Sequence, residues 1–279
     1  MTEELVFRNP GEKLRDLLGS IFAYDPTTEN SVFSRMDEAV LANGELALLA
    51  HSSLVSYLTR RLITAAEYIK RKYNNEGYPD GFYIQKIRDY LIEQTRLPSD
   101  QREKILAMLL ECLSARSRKV PVKTKQRMRT IAQKDGLKCY ICGCDMDFSL
   151  RDEYLAAIIE HVWPNSMGGD RHETNLRVSC KKCSDNKHNY MESSDFHYEE
   201  ICLVDEEGSE DFNKKLTRQH KIAVWTKSGY SCILCGKPAS EGTLGFARRN
   251  INDNWHFLNM DAYCDEHLAQ INSLVRDNS

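Results

Sequence analysis

Apolar positions in residues 53–73 recur at spacings of three and four (Leu54, Leu58, Leu62, Ile63, Ala66, Ile69), with Arg60, Arg61, Glu67 and Lys70 between them. That is the period of an amphipathic helix. Asn74-Asn75 and the run Gly77-Tyr78-Pro79-Asp80-Gly81 end it. A second stripe follows at Ile84, Ile87 and Leu91, and Ser99 is placed to cap a third helix bearing Ile105, Leu106, Leu109, Leu110 and Leu113. Residues 1–115 therefore read as a mainly helical domain, a packing or docking module in which chemistry-bearing side chains occur singly. His51 is expected at a helix end and Cys112 in the core. Further on, the short apolar run 156–159 has the character of a buried strand.

The pattern changes after residue 115 and then repeats. Lys125-Gln126-Arg127 through Lys134-Asp135-Gly136-Leu137-Lys138-Cys139-Tyr140-Ile141-Cys142-Gly143 aligns without gaps, at an offset of 93 residues, on Arg218-Gln219-His220 through Lys227-Ser228-Gly229-Tyr230-Ser231-Cys232-Ile233-Leu234-Cys235-Gly236. Each copy reads as a helix, a glycine turn and a C-x-x-C pair. Downstream, Asn175 lies five residues before Cys180, and Asn259 five before Cys264. Two related modules are implied, an internal duplication.

The close cysteine pairs say what holds those modules together. Cys139 with Cys142, Cys180 with Cys183, Cys232 with Cys235, and Cys264 with His267 make four pairs in two sets of four. Each pair has the spacing of a knuckle that aims two ligands at one tetrahedral zinc ion. A single redox dithiol would need only one such pair, in a βαβ setting. Cys112, Cys144 and Cys202 have no partner at that spacing.

Charge adds a second feature. The chain of 279 residues has a formal net charge of −3, so no overall field recruits an anionic partner. Yet residues 116–138 hold nine basic residues (Arg116, Arg118, Lys119, Lys123, Lys125, Arg127, Arg129, Lys134, Lys138) against the single acid Asp135. Such a local excess suits either a solvated face or an interaction surface for nucleic acid, and its position beside a zinc module favours the second. Residues 192–211 are acidic and read as a solvated linker. With no apolar stretch of spanning length and no signal-peptide pattern at the N-terminus, a cytoplasmic location is expected.

Between the first two cysteine pairs runs Ile158-Ile159-Glu160-His161-Val162-Trp163-Pro164-Asn165-Ser166-Met167-Gly168-Gly169-Asp170, followed by Asn175-Leu176-Arg177, Cys180-Lys181-Lys182-Cys183 and Lys187-His188-Asn189. Here, over residues 120–190, the chain resembles the HNH endonuclease family, whose pattern is acid-His, Pro and Gly-Gly in a loop, Asn-Leu, then C-x-x-C and a Lys-bearing helix. Phosphodiester hydrolysis needs a base for water and a divalent cation to neutralise developing charge. His161 is the expected base, the Glu160 carboxylate suits Mg²⁺, and Asn175 can orient the imidazole or pin the loop through its amide. The family usually has His or Asn directly after the second knuckle cysteine. Here that position is Ser184, a poor substitute, and the resemblance nominates His188, one helical turn on, as the remaining ligand.

The expected fold class is α+β, a mainly helical domain followed by two zinc-stapled ββα modules of treble-clef, HNH type. The helical domain covers 1–115, an HNH module with a four-cysteine zinc site 116–191, an acidic linker 192–214, and a degenerate second module, with three cysteines and one histidine as zinc ligands, 215–279. The resemblance implies a metal-dependent endonuclease acting on DNA, with two structural zinc ions and a catalytic Mg²⁺ or similar ion. Arg127, Arg129, Lys181, Lys182 and Lys187 would contact backbone phosphates. Antiphage defence or restriction is the setting favoured by analogy, with a regulatory protein docking on the helical domain. The alternative is a catalytically inactive zinc module that binds nucleic acid or a partner protein. In the second module His256 is expected to be structural, while Arg248 and Arg249 are available to touch phosphate.

Overall fold

The computed structural model describes residues 7–23, 44–79, 81–196, 202–203, 216–251, 255–271 and 274–275. Most of the expected acidic linker lies outside these residues. The chain divides into two compact units, one of Met1–Lys119 with His161–Asn175, the other of Val120–Glu160 with Leu176–Ser279.

The first unit is built from helices α1 (Pro10–Ile21), α2 (Gly44–Asn75), α3 (Phe82–Gln94) and α4 (Ser99–Ser117). Their stripes meet in one core, with Leu14 and Leu18 from α1, Leu62 and Ile63 from α2, Ile87 and Leu91 from α3, and Ile105, Leu109 and Cys112 from α4. Cys112 is fully buried, as its place in the apolar run requires. Ser99 is the first helical residue rather than the cap, which is Pro98. His51 lies within α2, yet it still serves a helix end: its Nε2 sits 2.8 Å from the carbonyl oxygen of Phe22, the residue that closes α1.

The unit also takes in the loop between the first two cysteine pairs, which periodicity gave no reason to place there. Gly11 N donates to Gly168 O (3.2 Å), and Asp170 N donates to the Asn9 side-chain oxygen (2.9 Å). From the end of α4, Arg116 Nη1 donates to Ser166 O at 2.9 Å while its Nη2 pairs with Glu67. Arg118 pairs with Asp170 at 3.0 Å. Two of the basic residues after residue 115 are thus committed to ordinary structural pairs. The approach is close enough to require glycine. Gly168 has φ +78, and a Cβ there would meet Cys112 Sγ at 2.7 Å.

The second unit opens with α5 (Val122–Lys134), then strands β1 (Ala157–His161) and β2 (Leu176–Cys180), which pair in a two-stranded sheet, and α6 (Lys181–Lys187). After the short β3 (Cys202–Leu203) come α7 (Arg218–Lys227), β4 (Leu244–Arg248), β5 (Trp255–His256), β6 (Met260–Cys264), α8 (Asp265–Leu268) and β7 (Leu274–Val275). β4 is central, flanked antiparallel by β6 and β7, and β3 pairs with β5. The strand expected at 156–159 extends two residues further, so His161 is its last residue. Among the described residues no helix is long and apolar enough to cross a membrane.

The duplication holds bond for bond. After α5, Asp135 N, Gly136 N and Leu137 N donate to the carbonyls of Ile131, Gln133 and Ala132. After α7, Ser228 N, Gly229 N and Tyr230 N donate to those of Val224, Thr226 and Trp225. The turn glycines have φ +63 and +62, and the knuckle glycines Gly143 and Gly236 both +72.

The docking of α1 on the loop yields a stability test. In Gly11→Ala the new methyl would fall on the Met167 carbonyl and the Trp163 indole nitrogen, whereas at Gly19, on the same helix, nothing lies within 4 Å. Gly11→Ala should therefore cost about 2–3 kcal/mol by overpacking, while Gly19→Ala should be neutral or stabilising by up to about 1 kcal/mol. Thermal melting of the two variants beside the parent checks this, and equal melting points would place the loop away from α1.

Candidate metal centres and the Glu160 network

The second centre has the simpler geometry. Cys232 and Cys235 come from the knuckle after α7, Cys264 ends β6, and His267 lies in α8. Their four ligand atoms lie within 4.8 Å of one another. Cys235 Sγ and Cys264 Sγ are 3.8 Å apart, and His267 Nδ1 is 3.5 Å from Cys232 Sγ and 3.3 Å from Cys264 Sγ. A tetrahedral zinc with sulfur at about 2.3 Å requires S···S edges near 3.8 Å, so the donor set fits that ion. All four residues are those expected from spacing.

In the first centre, Cys139 and Cys142 form the knuckle after α5, Cys180 ends β2 and Cys183 lies in α6. Gly143 N donates to Cys139 O (2.8 Å) and Cys139 N to Cys144 O (3.0 Å), which folds the knuckle. The positive φ of Gly143 permits that turn. The clustered thiols differ by one from the set expected from spacing. Cys144, set aside for lack of a C-x-x-C partner, belongs to the centre: its Sγ and those of Cys139, Cys142 and Cys180 all lie within 4.8 Å of one another. Cys183, three residues after Cys180 and in α6, accepts from Arg218 Nη2 at 3.0 Å. Four sulfurs therefore converge, and the Cys180–Cys183 spacing offers a fifth thiol. Thiol hydrogen bonds, first from Cys139, hold Cys142 down to about 3 and push Cys144 well up. Each of the two centres can hold a metal ion.

The residues expected to carry catalysis are distributed differently. His161 and Asn175 belong to the first unit, Glu160 and His188 to the second. Asn175, 3% exposed, pins the loop: its Oδ1 accepts from Trp163 N (2.7 Å), and its Nδ2 donates to Trp163 O (3.1 Å) and Asp170 O (2.8 Å). Asn259 does the same in the second copy, accepting from Asn250 N (2.9 Å) and donating to Asn250 O (3.0 Å). Val162 N donates to Asn175 O just as Arg249 N donates to Asn259 O. This matching sets Ala247-Arg248 where the first copy has Glu160-His161.

Glu160 accepts a hydrogen bond from Tyr140 OH at 2.5 Å. Its charge also opposes the burial that pulls the Lys187 amine pKa down. Lys187, expected to contact phosphate, is only 2% exposed, which leaves its amine little access to a phosphate backbone. Burial, first, and then the Glu160 charge push the Tyr140 phenol well up. Tyr230 packs edge-on against Tyr140 with ring centroids 5.1 Å apart, and its phenol is raised by its own burial. His161 is half-buried, with Nε2 shut off from solvent.

His188 N donates to Ser184 O (3.0 Å), one turn on, but as the residue that caps the helix rather than one within it. α6 ends at Lys187, and His188 is exposed with φ 48 and ψ −120. Arg129 is likewise occupied, donating to the carbonyls of Phe148 (2.7 Å) and Ala157. Lys181 pairs with Asp185 at 2.8 Å. In the second copy Arg248 is 8% exposed over the Trp255 ring, and Arg249 pairs with Asp261 at 3.0 Å. Neither arginine is placed as a loose phosphate contact. Comparison with protein-family models, characterised proteins and solved structures finds no match to the chain.

Two outcomes are expected. Metal analysis of the purified chain should find about two zinc ions per molecule, and Cys264→Ser should hold one fewer; an unchanged content in that variant would remove the second centre. The two buried phenols set an alkaline limit. In the fold they keep their protons above the pH, about 10, at which an unfolded tyrosine ionises. The unfolded chain then binds fewer protons than the native one, and stability falls as pH rises beyond that point. Tyr140→Phe should lose about 1.5–3 kcal/mol at neutral pH, the worth of a hydrogen bond to a charged group, and show a shallower alkaline decline. Denaturant unfolding from neutral to alkaline pH measures both, and an unaltered alkaline slope would contradict the buried state of Tyr140.

Proposed function

We propose that the chain is a zinc-stapled module that binds nucleic acid, on a frame of HNH type whose catalytic positions have been turned to structural use. The observation carrying this reading is α5. Its sequence VKTKQRMRTIAQK has five basic residues and no acid, and it leads through a glycine turn into the Cys139 knuckle. Lys123, Lys125, Arg127 and Lys134 are exposed. Rows of solvent-facing cations on a fixed helix bind phosphate without reading bases.

The donors for a catalytic divalent cation fit poorly. Glu160 accepts from Tyr140 OH, Ser184 offers a hydroxyl, and His188 follows the end of α6. A second reading, a DNA endonuclease with His161 as the base that takes a proton from water, is favoured by one observation. The acid-His pair is present in the first copy alone, while the surrounding bonds are shared with Ala247-Arg248 in the second. Both DNA and a regulatory protein on the helical unit, and a role in antiphage defence, belong to this proposal.

Binding of duplex DNA measured against salt concentration tests the first reading. Lys123→Ala, Lys125→Ala and Arg127→Ala together should weaken all sequences alike and reduce the slope of log K on log salt by about 2–3. Unaltered affinity and slope would overturn it. Incubation of supercoiled DNA with Mg²⁺ or Mn²⁺ separates the readings: intact DNA is expected, and cleavage that vanishes in a folded His161→Ala variant would establish the nuclease instead.

A further inference from the structure

The internal duplication provides a built-in control for the fifth thiol. In both copies the residue two after the second knuckle cysteine closes the turn through its backbone: Cys139 N donates to Cys144 O (3.0 Å), and Cys232 N to Lys237 O (2.9 Å). The turn thus dictates where this residue sits, whatever its side chain. In the second copy the side chain is lysine, and the centre has four donors, Cys232, Cys235, Cys264 and His267. In the first copy it is cysteine, and its sulfur joins Cys139, Cys142 and Cys180 within 4.8 Å. Cys183 stands at C-x-x-C spacing from Cys180, in α6, and is gripped from α7 by Arg218 Nη2 at 3.0 Å. Zinc in such a site takes four ligands, and five are present.

We propose that the first centre is an exchangeable metal site, in which Cys139, Cys142 and Cys180 are fixed ligands to one zinc ion and Cys144 and Cys183 alternate as the fourth. The exchange is a ligand substitution: one zinc–sulfur bond forms as another breaks, the incoming thiol gives up its proton to solvent, and the departing thiolate takes one up. No electron is transferred. Arg218 supplies a cationic donor that steadies Cys183 in the interval when its sulfur is off the metal. Cys144 is half-buried and reaches solvent, unlike the fully buried Cys183. The ion therefore has an associative route out, through a five-sulfur arrangement, that the second centre lacks.

The inference rests on the first cluster holding metal, and the test separates the two claims. Zinc content and the sulfur-to-Co²⁺ charge-transfer absorption of the cobalt-loaded full chain are read for five proteins: parent, Cys144→Ser, Cys183→Ser, the double variant, and Cys139→Ser. Each single change at 144 or 183 should leave two ions per chain, and the double variant and Cys139→Ser one. Loss of an ion in Cys183→Ser with none in Cys144→Ser would make Cys144 a bystander and overturn the exchange; the reverse pattern would do the same for Cys183. Full metal content in Cys139→Ser would sink the metal site itself. Should variants fail to fold, alkylation of the zinc-loaded parent gives the answer: iodoacetamide should label the half-buried Cys144 with both ions retained, more slowly than after the metal is removed, and no label, an ion lost with each label, or a rate that metal removal leaves unchanged would overturn the proposal.

Discussion

The convergence of ligand atoms from sequence-distant segments is the constraint on which residues 120–279 depend. Each zinc-type centre joins a knuckle following a helix to the end of a hairpin strand and the helix after it, and the strands themselves are only two to five residues long. Pieces that short bury little apolar area; the core cluster of the first copy is Ala132, Ala157 and Val178 with a few half-buried neighbours. Metal binding in such a place is folding free energy as much as it is ligation. The reverse turns, the positive φ of the knuckle glycines and the backbone bond from cysteine to the residue five positions on all serve to bring two donors to one point. Because both copies meet the same demand, they keep the same bonds while other side chains diverge.

Much of this is open to inspection in the amino-acid pattern. The stripes of the helical unit, the close pairs and the 93-residue offset are short-range regularities; the helical stripes meet in one core, and three of the four pairs lie whole within the two clusters of ligand atoms. Cys144 escapes a rule that looks for C-x-x-C, because it stands in C-x-C with Cys142. The aligned repeat carries the missing signal, since Cys144 stands opposite Lys237. Glu160-His161 is visible as a pair, but the partner that engages Glu160 is Tyr140, inside the knuckle and 20 residues earlier. Nothing in the local pattern distinguishes a carboxylate waiting for a cation from one already hydrogen-bonded. Lys187 illustrates the same difficulty: a lysine in a polar helix reads as solvated until the fold shows that its face is inward.

Asn175 and Asn259 show how a site-like residue can have a general structural job. Each closes a crossing by accepting from and donating to the same residue's backbone, Trp163 in one copy and Asn250 in the other. A carboxamide alone among short side chains offers both an acceptor and a donor in one plane, so aspartate would leave a carbonyl unsatisfied. The asparagine of an acid-His-Asn pattern is thereby explained without reference to catalysis, and its presence in both copies carries no information about whether either performs chemistry.

The membership of residues 161–175 in the first unit bears on the order in which the chain can become structured during synthesis. Helices α1 to α4 are complete once Ser117 has emerged, yet the carbonyls that engage Gly11 and Arg116, and the carboxylate that engages Arg118, belong to residues 166–170, made well after it. Meanwhile α5, the first knuckle and β1 have already left the ribosome, and their own ligands at Cys180 and Cys183 have not. Neither unit can close before the other has been interrupted. Vectorial synthesis thus imposes an interlocked schedule, in which a fragment ending at Lys119 carries α1 to α4 but presents to solvent the Asn9, Gly11 and Arg118 groups that the returning loop would satisfy.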